Sequence, residues 1–196
     1  FSEKFWLSVN GLWQNVDDSN YKAYWADLGF KFMEGLELRG AYYMEDIAAD
    51  SVLVAGVDDP KAWRAALVVD QDVLKFTSLW VEYAQFDQGF YIDRSPWSFS
   101  DVLWPGDISA GVTLPDDADV LFVKAKQKWN DKWSTIERYV KYDIDNFWDA
   151  KEWSVAIGYQ YSPNLYFELA YADMDGSFFD PNYDNNQIRF RTYLTF

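Results

Sequence analysis

Cysteine and histidine are both absent from the 196 residues. Without cysteine there is no disulfide frame, no thiolate metal site and no cysteine nucleophile. Without histidine, Ser-His-Asp catalysis and histidine-ligated metal centres lose their central group. Paired carboxylates survive both absences, yet no single Asp or Glu pair stands out as a glycosidase dyad. No apolar run is long enough for a membrane helix. Cations are scarce as well: 17 Lys and Arg against 32 Asp and Glu leave a formal charge of −15. Duplex nucleic acid, which demands clustered cations, is a poor partner for such a chain. A starting methionine and a signal peptide are missing too; opening at Phe1 fits a processed product or part of something longer.

Aromatic residues, by contrast, are abundant: 11 Trp, 14 Tyr and 15 Phe make up 20% of the chain. That excludes a disordered segment, which could not carry so many. Period-two alternation recurs from end to end, and helical periodicity is nearly missing. In the last stretch Ile188, Phe190, Thr192, Leu194 and Phe196 share one face, opposite Arg189, Arg191, Tyr193 and Thr195. Ten strands are predicted, at 3–14, 20–33, 36–46, 61–70, 77–90, 118–129, 132–144, 151–162, 164–174 and 187–196. The segment 61–70 is open to a second reading as a short helix after Pro60. All ten are assigned to one domain, 1–196.

The connections carry their own signal. Glu34-Gly35, 71–76, Asn130-Asp131 and Ser162-Pro163-Asn164 are short, whereas 15–19, 47–60, 91–117, 145–150 and 175–186 are longer and acidic. Alternating short and long links is the habit of an outer-membrane barrel, with tight periplasmic turns and longer outer loops. A soluble sandwich would show the same strand alternation, so periodicity leaves both open. Aromatics near strand ends (Trp13, Tyr21, Trp129, Trp133, Trp153, Tyr161) tip the balance toward interfacial girdles. Mean hydropathy of −0.33 suits strands that hide only half their residues in lipid. The expected fold is an all-β, antiparallel transmembrane β-barrel in the bacterial outer membrane, embedded in its lipid.

The stretch from Glu152-Trp-Ser-Val-Ala-Ile-Gly-Tyr to Arg189-Phe-Arg-Thr-Tyr-Leu-Thr-Phe196 resembles the end of a porin. Among porins it is most similar to the C-terminal barrels of S-layer-homology-domain porins of diderm Firmicutes. The resemblance covers roughly the last 80 residues in style, and the S-layer-homology domain itself is not in this sequence. It implies passive diffusion of small hydrophilic solutes, no enzymatic chemistry and no cofactor. It also implies larger barrels and homotrimers, so the ten strands would be the C-terminal portion of a larger barrel, with 3–14 and 187–196 not neighbours. Phe196, ending an alternating strand, resembles the assembly signal read by the barrel-assembly machinery.

Strand faces then yield a candidate pore lining: Lys31, Glu37, Arg39, Arg64, Glu82, Lys124, Lys126, Lys128, Glu137, Glu168, Arg189 and Arg191, with Lys141 also placed in the lumen. Lysines 124, 126 and 128 on one face form either an anion-attracting ladder or a row paired with Glu137 and Glu152. Opposed cations and carboxylates set a transverse field that sorts polar solutes by charge. The same pairs could instead fill a narrow barrel with a structural role in envelope attachment and a closed lumen. A soluble, Trp-rich carbohydrate-binding domain is the third reading. Phe90 to Asp117 is too long for an idle link; it folds into the pore or packs on a neighbouring subunit. Acidic clusters (Asp173, Asp175, Asp180, Asp184; Asp116, Asp117, Asp119) lack metal-loop spacing and read as solvated surface.

Overall fold

The computed structural model describes residues 4–16, 19–47, 59–90, 114, 116–146, 148–176 and 184–195. The side chain of Tyr21, Asp180, Phe196 and the interior of the 91–117 segment lie outside them. Ten strands form one antiparallel sheet in chain order: β1 (Phe5–Val16), β2 (Ser19–Met33), β3 (Leu36–Ile47), β4 (Lys61–Val69), β5 (Thr77–Phe86), β6 (Ala118–Lys128), β7 (Trp133–Ile144), β8 (Trp148–Ser162), β9 (Leu165–Asp175) and β10 (Asp184–Leu194). A one-turn helix, α1 (Gln71–Leu74), sits in the β4–β5 link. Each strand pairs with its sequence neighbours; among the described residues no ladder joins β1 to β10.

The ladder is strongly sheared. One row of paired residues starts at Phe5, the first residue of β1, and runs through Phe30, Leu38, Leu67, Val81, Val123, Tyr139 and Trp153. It ends at Asp173 and Asn186, near the opposite ends of β9 and β10. Such a climb is the stagger that tilted barrel strands require. Burial shows the same curvature. Ala84 and Ala172 on the inner face are 0% exposed, while Val9 and Ile188 on the outer face are 75% and 74% exposed. Among the described residues no second layer covers the inner face.

One sequence expectation needs correction, and one choice left open by the sequence is closed. The links at 15–19 and 145–150 are not long, because the ladders continue to Val16↔Ser19 and Ile144↔Trp148. The strict alternation of short and long links therefore fails. Acidic residues there suggested loops, but strands that project past lipid into water can keep pairing with polar side chains. The segment 61–70 is a strand over Lys61–Val69. Two ladders hold it, and they override the helical preference of its alanines.

Tight turns gather at one end, here the turn end. Gly35 adopts φ +76 in the β2–β3 turn, and its carbonyl accepts from the Asp70 N–H at 2.7 Å. Asn130 Oδ1 accepts from the N–H groups of Lys132 and Trp133, closing the β6–β7 turn. The opposite, loop end carries the longer connections at 48–60, 87–117 and 176–183.

Candidate pore lining

The inner face divides into two walls of different chemistry. On β2–β5 the carboxylates Asp27, Glu37, Glu45 and Glu82 stand with Lys31, Arg39 and Arg64, and several interlock. The Trp6 indole N–H donates to Glu37 Oε1 at 2.6 Å, and Arg39 Nη2 donates to Glu37 Oε2 at 2.8 Å. Arg39 lies over the Trp80 ring, 5.3 Å from its centroid, and the Trp80 N–H donates to Glu82 Oε2 at 2.8 Å. Arg64 bridges Glu82 at 3.4 Å and Asp27 at 3.6 Å. Charge-assisted bonds of this kind are the strong ones, and Glu37 and Glu82 each keep both a guanidinium and an indole N–H donor.

Gly29 makes the first link possible. A Cβ there would collide with the Trp6 indole and with Glu37 Oε1. Its backbone is ordinary, so the glycine serves close approach and not an unusual φ.

On β6–β10 the balance tips to cations: Lys124, Lys126, Lys128, Arg138, Arg189 and Arg191, with Glu152 and Glu168. Register sets Lys124 beside Arg138, and Lys126 in a row that passes Ile136, Ala156 and Ala170 to Arg189. Arg191 reaches Glu168 at 3.5 Å and donates to the Tyr193 hydroxyl at 3.2 Å. Arg189 donates to Gln187 at 2.9 Å. Lys128, near the turn-end rim, pairs with the exposed Asp131 at 3.5 Å.

Two assignments made from sequence are overturned by register. Glu137 pairs with Ala125 and Val155, and Lys141 with Leu121 and Lys151, so both lie on the outer face. Glu137 therefore cannot neutralise the lysine ladder. Arg138, which sequence reading passed over, takes the inner position and is 6% exposed. The cause is a reversal of polarity along the barrel. Near the loop end the inner face is an apolar cluster that includes Phe86, Phe90, Leu114, Phe122, Tyr142 and Ile144. The outer face there is charged and ion-paired, as in Lys22–Asp46, Lys141–Asp143 and Lys151–Asp175. On β7 apolar residues thus mark the inside. The alternation is genuine, but its sense is the opposite of that on β2 or β10.

Phe90 and Leu114, the two roots of the long β5–β6 connection, turn into this cluster. Phe90 packs edge-on against Phe86 at 5.5 Å, and its carbonyl accepts from the Leu114 N–H at 3.2 Å. Asp116 and Asp117 serve the same roots: Asp117 accepts from the Gln88 N–H and Asp116 from Asn146. At the turn end the lumen opens into a cavity of about 560 Å³ bordered by Lys4, Lys31, Glu34, Glu37, Arg39 and Asp70.

The outer face between the ends is the apolar band expected of strands in lipid: Leu28, Phe30, Leu38, Leu67, Val155, Ile157, Leu169, Ile188 and Phe190 are all exposed. Aromatic pairs edge it, with Trp13–Tyr24, Trp63–Tyr83 and Trp153–Tyr171 toward the loops. Phe76–Trp129 and Trp133–Tyr159 edge it toward the turns. An apolar belt between two aromatic girdles around a polar interior defines an outer-membrane type of β-barrel.

Solved structures agree on the fold. The NanC porin superposes with a TM-score of 0.57 at 10% identity, covering 98% of this chain and 94% of that one. The CymD monoaromatic hydrocarbon channel superposes with a TM-score of 0.51 at 11% identity, over 90% of this chain and 52% of that one. No protein-family model and no curated protein matches the sequence.

Proposed function

We propose that the protein is an outer-membrane porin through which small hydrophilic solutes diffuse along a charged lumen, without covalent chemistry. One observation carries the reading: carboxylate-rich β2–β5 faces cation-rich β6–β10 across the interior, beneath an outer apolar belt. Buried ion pairs stabilise a fold poorly, because desolvation consumes most of the Coulomb gain. A water-filled passage keeps such side chains solvated, and their opposed rows then act on passing ions. In this reading Lys31, Glu37, Arg39, Arg64, Glu82, Lys124, Lys126, Lys128, Glu168, Arg189 and Arg191 line the path, joined by Arg138. Outer-membrane lipid and the barrel-assembly machinery are the partners this role requires. Closer kinship with S-layer-homology-domain porins belongs to the same proposal.

Conductance of the purified protein in planar bilayers tests it. Replacing Lys124, Lys126 and Lys128 together by Glu should move the reversal potential in a salt gradient toward cation preference. A variant that conducts with an unchanged reversal potential removes these residues from the path. The apolar cluster around Phe86, Phe90 and Phe122 favours a second reading, a structural barrel closed at its loop end. Absence of any conductance from folded protein would select it.

A further inference from the structure

The turn-end mouth of the lumen carries charges that find no partner within the chain. The cavity of about 560 Å³ there lies over the ends of β2, β3 and β4. Its floor on β3 is internally paired: Glu37 accepts from the Trp6 indole on Oε1 and from the Arg39 guanidinium on Oε2. Lys31 stands directly across from Glu37 in the β2–β3 ladder. With that carboxylate already engaged, the exposed Lys31 borders the cavity and makes no hydrogen bond or ion pair among the described residues.

The opposite wall repeats this with the other sign. Asp70 follows β4, two residues beyond Val68, which is the β4 partner of Glu37. Its N–H donates to the Gly35 carbonyl at 2.7 Å, but its carboxylate caps no helix N–H and has no other partner among the described residues. Gly35 keeps that carboxylate uncovered, since a side chain there would begin 3.6 Å from Oδ2. Glu34, in the turn beside it, adds a second exposed carboxylate. β2 and β4 are two strand spacings apart, about 10 Å, so Lys31 and Asp70 flank the cavity and do not pair across it.

We propose that this cavity binds a small zwitterion of amino-acid size, its carboxylate at Lys31 and its ammonium at Asp70. The inference rests on the porin reading and names a solute class for it. The two walls choose against the alternatives. An anion drawn to Lys31 meets Glu34 and Asp70, a cation drawn to Asp70 meets Lys31 and Arg39, and an uncharged solute neutralises neither wall. Cations and carboxylates around the cavity balance, Lys4, Lys31 and Arg39 against Glu34, Glu37 and Asp70, which suits a solute of no net charge. Met33, Leu36 and Val68 offer an apolar surface to the rest of its body.

A ligand-observed NMR titration of the full chain in detergent micelles tests this, with glutamine as the probe. N-Acetylglutamine and glutamine α-amide keep the same body with one charge each. Glutamine should bind about tenfold more tightly than either, the worth of one hydrogen bond to a charged group. Lys31→Met and Asp70→Asn should each weaken glutamine binding about tenfold. The exchange of Lys31→Asp with Asp70→Lys should restore it, every variant being shown to be folded by heat-modifiable migration. No glutamine binding by the parent, equal binding of the three probes, or unchanged binding in the folded single variants overturns the proposal. The porin reading fails separately. A barrel that conducts without binding glutamine loses only this site, and one that binds glutamine without conducting keeps the site and loses the porin.

Discussion

At the scale of single residues, space decides as much as charge does. Gly29 is the clearest case, since only a hydrogen fits beneath the Trp6 indole where it donates to Glu37. Gly29→Ala should cost about 1–3 kcal/mol, the usual penalty of overpacking. Gly40 is the control, because a Cβ there would meet only ordinary contacts at 3.6 Å, and Gly40→Ala should leave stability nearly unchanged. Urea unfolding from lipid vesicles reads both, and equal stability of the two variants would mean that the Trp6–Glu37 contact is not what Gly29 protects. Trp6→Phe removes the indole donor together with part of its ring and should cost about 1–3 kcal/mol, the usual penalty of leaving a buried acceptor unanswered. None of this is legible in the sequence, where Gly29 is only a small residue between Leu28 and Phe30. A long-range contact between β1 and β3 over a residue of β2 leaves no mark in local spacing.

At the scale of strands, the sequence was read well where a single rule held along the whole element. β10 lies inside the lipid band for most of its length, so apolar meant outside, and Arg189 and Arg191 point inward as alternation suggested. β7 crosses from the band into the water-exposed rim, so the rule reverses on it. Ile136, Val140, Tyr142 and Ile144 are inside, and Tyr139 and Asp143 are outside. Glu137 and Lys141 were misplaced for that reason, since a face was chosen by polarity without knowing how high on the barrel each residue stood. Spin labels separate the two assignments. A label at 137 or 139 should be relaxed by lipid-dissolved oxygen, and one at 138 by a water-soluble paramagnetic quencher. Quencher access at 137 with oxygen access at 138 would restore the sequence-based placement.

At the scale of the molecule, the barrel is assembled from two zones with opposite polarity. The turn-end zone is apolar outside and charged within, open through the cavity beside Lys31, Glu37 and Arg39. The loop-end zone is charged outside and apolar within, like a water-soluble β-barrel set on a membrane one. If solutes pass along the axis, the loop-end cluster is the resistance in series with the charged zone. Phe86 and Phe122 belong to that cluster at 3% and 8% exposure, and Phe86 also supports Phe90 at the root of the long connection. Phe86→Ala and Phe122→Ala should therefore raise single-channel conductance while leaving the charge preference set by Lys124, Lys126 and Lys128 in place. The same changes remove packed aromatic rings, at about 3–5 kcal/mol each, so the measurement needs protein that still migrates as a folded barrel. Higher conductance with unchanged selectivity places the constriction among the aromatics and the selectivity below them. Unchanged conductance in folded, conducting variants means that ions bypass the cluster, and that the path leaves the barrel somewhere other than between Phe86 and Phe122.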